Sequence, residues 1–191
     1  MSKVFIVSAK RTAIGSFMGS LNTVKPSDFG SVVVKNILDE TKIPVEKIDE
    51  VIVGNILPAG QGQGIARQVS IKAGIPVEVP AYGLNMVCGS GMKTLMTAYA
   101  NIKVGLHNMV IVGGVESMSQ APFIIPTKIR NGNKMGGFDV TDHMISDALT
   151  DVFNNVHMGI TAENIVEQFG FTREEQDAFA FHSQEKAIAA V

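Results

Sequence analysis

Short apolar runs alternate with segments whose apolar residues recur at helical spacing. The runs are rich in β-branched residues and predict buried strands at residues 4–9, 48–57, 79–87 and 109–112. Helices are predicted between them, one with Ser27 as its N-cap, one over residues 65–73 and one beginning near Met92. Because strands that alternate with helices favour a mostly parallel, covered sheet, the predicted fold class is α/β.

The pattern changes near Gln120. Residues 122–142 are rich in proline and glycine and carry a basic cluster of Lys128, Arg130 and Lys134. A loop of this length inside a compact domain is usually functional. Beyond it, helices are predicted over residues 145–153, 161–169 and 172–190, and Thr172 with Glu175 forms a capping-box pattern.

The composition argues against several classes of protein. With 16 Lys and Arg against 18 Asp and Glu, the net charge is −2, which argues against nucleic-acid or anionic-membrane partners. Hydrophobic residues make up 46% of the chain, so a sizeable core is expected. No apolar run reaches the roughly 20 residues of a membrane span, and the first residues lack signal-peptide features. We therefore expect a reduced, cytoplasmic, soluble protein.

The single cysteine is the strongest candidate for chemistry. Cys88 lies where an apolar strand turns into a helix, and Gly89, Ser90 and Gly91 follow it. Small residues allow a sharp turn and close approach of a substrate. The first-turn amides and the helix dipole favour negative charge on the sulfur, as in a nucleophile elbow with sulfur in place of oxygen. A buried, inert cysteine stays an alternative. One cysteine also excludes a disulfide framework or a multi-cysteine metal cage, and no metal site is expected.

Other candidates favour structural roles. Gly60 to Gly64 fail the spacing of a dinucleotide-binding fingerprint and indicate a turn before a helix. Glu116 is expected to brace the end of the sheet rather than to catalyse. Met92 and Met96 are expected to fill the core. His157 could serve as a base for Cys88, but it lies before a helix in a different segment.

Five ordered motifs resemble the thiolases, the acetyl-CoA acetyltransferase family. The stretch from Asn85 to Gly91 is similar to the acylated-cysteine motif of that family. The other four lie in order along the whole chain, at residues 9–15, 62–74, 113–119 and 157–164. The intact sequence His157-Met158-Gly159 is most similar to the biosynthetic, acetoacetyl-CoA-type branch.

The resemblance implies a thiolase-like fold, with an N-terminal βαβ-type domain over residues 1–118 and part of a loop domain over residues 119–191. Cys88 would be the nucleophile that forms the acyl-thioester, and Leu149, His157 and Met158 would contact the substrate. The basic loop corresponds to the region that joins dimers into tetramers. Acetyl-CoA or acetoacetyl-CoA would be a substrate rather than a bound cofactor, and no cofactor is expected. A homodimer or homotetramer is the expected assembly.

Thiolases are far longer than this chain. Their second half carries a histidine base, a second cysteine and an asparagine that positions water, so the chain is expected to lack the C-terminal catalytic half and to be inactive alone. Loss of general-base activation typically costs a factor of roughly 10²–10⁴. Two other classes stay open: a non-catalytic CoA-binding or dimerising fragment, and a thiol redox sensor. A related condensing enzyme that uses the same cysteine is a third possibility.

Overall fold

Three of the four predicted strands form one parallel sheet in the structure, a computed structural model that describes residues 3–190. They are β1 (Glu50–Gly54), β2 (Ala81–Leu84) and β3 (Val110–Gly114), in the order β2-β1-β3. Val51 at the centre pairs with Ala81 on one side and with Ile111 on the other. This parallel sheet, with helices between its strands, confirms the α/β class.

Helices cover both faces of this sheet. They are α1 (Pro26–Thr41), α2 (Ile65–Lys72) and α3 (Ser90–Lys103). On one face, Val51 and Val53 pack into a core with side chains of α1 and α2. Gly54 points to the opposite face because side chains alternate along a strand, and there it meets the start of α3. In the order β2-β1-β3 the two crossovers run in opposite directions across the sheet, so the usual right-handed connection puts α2 and α3 on opposite faces.

The predicted strand over residues 4–9 is wrong. No strand is assigned there, and Phe5, Ile6 and Val7 are 70–74% exposed. An apolar β-branched run forms a strand only where a neighbouring edge pairs with it, and within residues 3–190 β3 pairs with β1 alone. A cleft of about 640 Å³ is lined both by part of this N-terminal segment and by residues 111–114 of β3.

Two finer predictions for the helices are also wrong. Ser27 lies inside the first turn of α1, where Lys25 is the N-cap, and the Ser27 hydroxyl accepts a hydrogen bond from Lys72 Nζ at 2.7 Å. Met92 and Met96 are 70% and 54% exposed rather than core residues. Helical spacing reveals an apolar face but not what covers it.

The long loop is confirmed as irregular. It contains β4 (Phe123–Ile124) and β5 (Thr141–Asp142), which pair with each other, and a 3-10 turn over Thr127–Asn131. The helix predicted over residues 145–153 is reduced to a π-helical turn, Ile145–Leu149. Asp151, whose side chain binds the amides of Phe153 and Asn154, instead forms a turn there.

Beyond residue 149, the chain forms a short hairpin and two helices. β6 (Thr150–Asp151) and β7 (Val156–His157) form a short hairpin before α4 (Met158–Phe169) and α5 (Arg173–Ala189). The Thr172–Glu175 capping box is present at the start of α5, as predicted. The described chain forms two compact units, one up to Ala148 and one from Leu149. The functional division after residue 118 stays a prediction. None of the described helices is both long and apolar enough to cross a bilayer.

Candidate active site

Cys88 lies on a five-residue turn between β2, which ends at Leu84, and α3, which begins at Ser90. The predicted position between a strand and a helix is therefore confirmed. Cys88 is exposed, so the alternative of a buried cysteine is wrong, while its reactivity stays a prediction. Its place just before the first turn of a 14-residue helix puts it where backbone amides and the dipole attract negative charge.

The residue of this turn with a left-handed backbone conformation is a valine rather than a glycine. Val87 has a φ of 47°, in the left-handed region, whereas Gly89 has a φ of −82°. A β-branched residue in that region is a true outlier, at a cost on the order of 1–3 kcal/mol. The expectation that the small residues after Cys88 make the sharp turn is wrong at Gly89.

Side chains within the turn hold Val87 in this conformation. Its amide donates to Asn85 Oδ1 at 2.9 Å, and its carbonyl accepts from the Ser90 hydroxyl at 2.6 Å. The same hydroxyl accepts from the amide of Met86 at 2.8 Å. The turn is thus fixed on both sides of the residue that precedes Cys88.

The start of α3 lies directly on the carboxyl ends of β1 and β3. A Cβ built on Gly54 would lie 2.8 Å from the Gly91 nitrogen, and one on Gly114 would lie 3.5 Å from Gly91 Cα. At Gly54 only a residue without a side chain allows so close an approach, whereas a Cβ on Gly114 would make an ordinary van der Waals contact. Cys88 therefore lies at the carboxyl-terminal end of the sheet, which is where parallel α/β folds place their ligands.

Glu116 braces the carboxyl-terminal end of the sheet, as expected, although its side chain is half-buried rather than fully buried. Its carboxylate accepts from the amides of Ile56 at 2.8 Å and Leu57 at 3.1 Å. It also accepts from the Asn55 side-chain amide at 2.9 Å. The roles of Asn55 and Asn85 were not predicted from the sequence. The signal that could have revealed Asn85 is an asparagine just before a turn, where its side chain commonly binds the backbone.

The three predicted substrate-contact residues lie together in the second unit. Thr150 pairs with His157 in the hairpin, so Leu149 and Met158 lie directly before and after the hairpin at its open end. Leu149 and Met158 are half-buried and His157 is exposed. His157 Nδ1 accepts a hydrogen bond from the Gly159 amide at 2.9 Å and caps α4, which leaves its ring hydrogen on Nε2 when neutral. Their contact with substrate stays a prediction.

The remaining candidates fall outside the Cys88 turn. Gly60, Gly62 and Gly64 all have positive φ and form the turn before α2, as expected. The cleft beside β3 does not include Cys88 among its lining residues. The basic side chains of the long loop are exposed: Lys128, Arg130 and Lys134. Among the described residues, no group of three or more His, Cys, Asp or Glu side chains is placed to hold a metal ion.

Comparison of the sequence with known proteins indicates one family. Residues 4–191 match the family described as thiolase, N-terminal domain. A Pseudomonas aeruginosa protein named acetyl-CoA acetyltransferase is 51% identical over 191 residues, which cover all of this chain and 48% of that protein. A Staphylococcus aureus protein named probable acetyl-CoA acyltransferase is 49% identical over 190 residues, again 48% of its length.

A solved structure agrees. The crystal structure of an Ascaris suum thiolase in complex with coenzyme A superposes with a TM-score of 0.88 at 40% identity, covering 94% of this chain and 46% of that one. The chain spans about half the length of the relatives it matches. Taken with the strand-to-helix turn around Cys88, these matches show that the chain belongs to the thiolase family, in the part that forms its N-terminal domain.

Proposed function

We propose that the protein to which this chain belongs is an acetyl-CoA C-acetyltransferase. In the first step, the Cys88 thiolate attacks the thioester carbonyl carbon of acetyl-CoA. The carbon–sulfur bond to CoA breaks, CoA leaves as a thiolate and takes up a proton, and Cys88 carries the acetyl group. Sulfur suits this step because it is both a good nucleophile and a good leaving group.

One observation carries the proposal: the exposed thiol stands immediately before the first turn of α3, on a turn held by its own hydrogen bonds. Amides that point out of a helix start stabilise charge that develops nearby, which is what an acyl-transfer intermediate requires. The match to the thiolase N-terminal domain supports the same role for Cys88.

In the second step, a second acetyl-CoA loses an α-proton, and its carbanion attacks the acetyl carbon on Cys88. The bond to sulfur breaks, acetoacetyl-CoA forms and the Cys88 thiolate is regenerated; thiolysis is the reverse. We infer that Leu149, His157 and Met158 contact the substrate, and that the family's histidine base and second cysteine move the proton. A homodimer or homotetramer is the inferred assembly.

The first step can be tested on this chain by intact-protein mass spectrometry after incubation with acetyl-CoA or acetoacetyl-CoA. Because this chain lacks the base of the family's second half, we expect a slow gain of one acetyl group that is absent in Cys88→Ala. A folded chain that gains nothing, or a gain that persists in Cys88→Ala, would overturn the proposal. Disulfide-linked dimers that form with oxidant regardless of acetyl-CoA would support the redox-sensor alternative instead.

A further inference from the structure

An unbroken series of hydrogen bonds ties the Cys88 turn to the end of β3. Glu116 Oε2 accepts from the amide of Ile56 at 2.8 Å. The Ile56 carbonyl accepts from Asn85 Nδ2 at 3.3 Å, and Asn85 Oδ1 accepts from the amide of Val87 at 2.9 Å. The series therefore runs from a carboxylate beyond β3 to the residue that precedes the thiol.

The two ends of the series are both rigidly held. At one end, Glu116 gathers three donors, because Leu57 and the side chain of Asn55 also bind its carboxylate. These bonds fix the segment after β1 and with it the position of the Ile56 carbonyl. At the other end, the Ser90 hydroxyl holds the Val87 carbonyl.

Val87 depends on this support. A non-glycine residue with a φ of 47° persists only where its surroundings over-determine its conformation. If the Asn85 bond is lost, the valine can relax toward ordinary φ values, and the direction in which the chain enters Cys88 changes. The sulfur would then leave its place before the first turn of α3.

We propose that Glu116 and Asn85 are positioning residues for Cys88. They act through Ile56 and Val87 rather than on the sulfur itself. Together they keep the thiol next to the N-terminus of α3. The part of this inference that concerns acyl transfer rests on the proposed function, whereas the part that concerns the geometry of the turn does not.

The geometry is tested by residue-resolved amide hydrogen exchange on the 191-residue chain, with the Val87 amide as the probe. We expect exchange roughly five- to tenfold faster in Asn85→Ala, the equivalent of one net hydrogen bond. Asn85→Asp keeps the acceptor for Val87 but loses the donor to the Ile56 carbonyl, so its exchange should fall between that of the unsubstituted chain and that of Asn85→Ala. Because Asn85 is exposed, both variants are expected to keep the fold.

Glu116→Gln is the decisive variant because its side chain reaches Val87 only through the series. It removes an acceptor from a site with three donors, and we expect the Val87 amide to exchange faster there as well. Glu46→Gln is the matched control, since it removes the same charge at an exposed position. An unchanged Val87 amide in Glu116→Gln would overturn the positioning role of Glu116, and an unchanged amide in Asn85→Ala would overturn that of Asn85.

Reactivity of the sulfur is measured on the same variants with iodoacetamide and with acetyl-CoA. We expect both rates to fall, acetylation by about tenfold or more, and Asn85→Asp to restore them only in part because it still lacks the donor to Ile56. Equal rates in all variants would overturn the positioning role even if Val87 is loosened. If the unsubstituted chain takes no acetyl group, the proposed function fails, and the alkylation rates alone decide for or against positioning.

Discussion

The two units of this chain differ in what holds them together. In the first, Val51 and Ile52 are completely buried and long-range hydrogen bonds join the ends of the strands. In the second, α4 and α5 have no buried residue, and order comes from a tight hairpin, the His157 cap and the Thr172 capping box. Cys88 belongs to the first unit, and its turn is held by the long-range bond from Asn85 to Ile56 as well as by local bonds, whereas the geometry of His157 depends on neighbours in sequence.

The largest expected effect is the loss of a core side chain from the first unit. Ile52→Ala removes a side chain with no exposed surface and should lower the free energy of unfolding by about 2–5 kcal/mol, since a cavity adds to the lost transfer energy. Urea unfolding followed by circular dichroism measures it. Phe179→Ala on α5, where the ring is 80% exposed, is the control and should change stability by less than about 0.5 kcal/mol. Equal effects of the two substitutions would break the contrast between the units.

A smaller effect is expected from the capping box. Thr172→Ala removes the acceptor for the Glu175 amide at 3.2 Å and should cost about 1 kcal/mol of local stability. Amide hydrogen exchange should show the loss at the start of α5. Ser183→Ala, inside the same helix, is the comparison and should leave those amides as they are. Faster exchange spread over β1 to β3 would show that the cap supports more than local structure.

The smallest effect is a pH dependence. The amides of Asn108 and Met109 bind one carboxylate oxygen of Asp49 at 2.6 and 2.9 Å and lower its pKa. The pKa of Asp151 is lowered mainly by the Asn154 side chain, within its own turn. A carboxyl group with a lowered folded pKa adds stability that is present above its unfolded pKa, about 4, and is lost as the pH falls through the folded pKa.

Asp49→Asn should therefore destabilise the first unit at neutral pH, and the difference from the unsubstituted chain should shrink below about pH 4. Asparagine still offers one oxygen to both amides, so the charge is what changes. Asp151→Asn should leave the unfolding of the first unit unaltered at every pH. Urea unfolding from pH 2 to pH 7 measures both. A constant difference across that range would show that the Asp49 charge is not the source.

The sequence predicts features that are set by nearby residues better than features that depend on residues far apart in the chain. Local signals located α2, α5 and its capping box, and the placement of Cys88 between a strand and a helix. Residues 4–9 have the composition of a strand, but pairing depends on a neighbour that composition does not reveal. The left-handed φ of Val87 could not be predicted because a valine side chain disfavours that conformation. The bonds from Glu116 to Ile56 and Leu57 join residues far apart in sequence, so only the folded sheet brings them together.

The measurement that most directly tests the account follows the acetyl group on the peptide that contains Cys88, before and after free CoA is added. We predict that acetyl-CoA loads Cys88 and that CoA removes the group, because attack on the thioester and its reverse use the same sulfur chemistry. Acetylation that appears on lysines instead, or a Cys88 adduct that CoA does not discharge, would contradict the account.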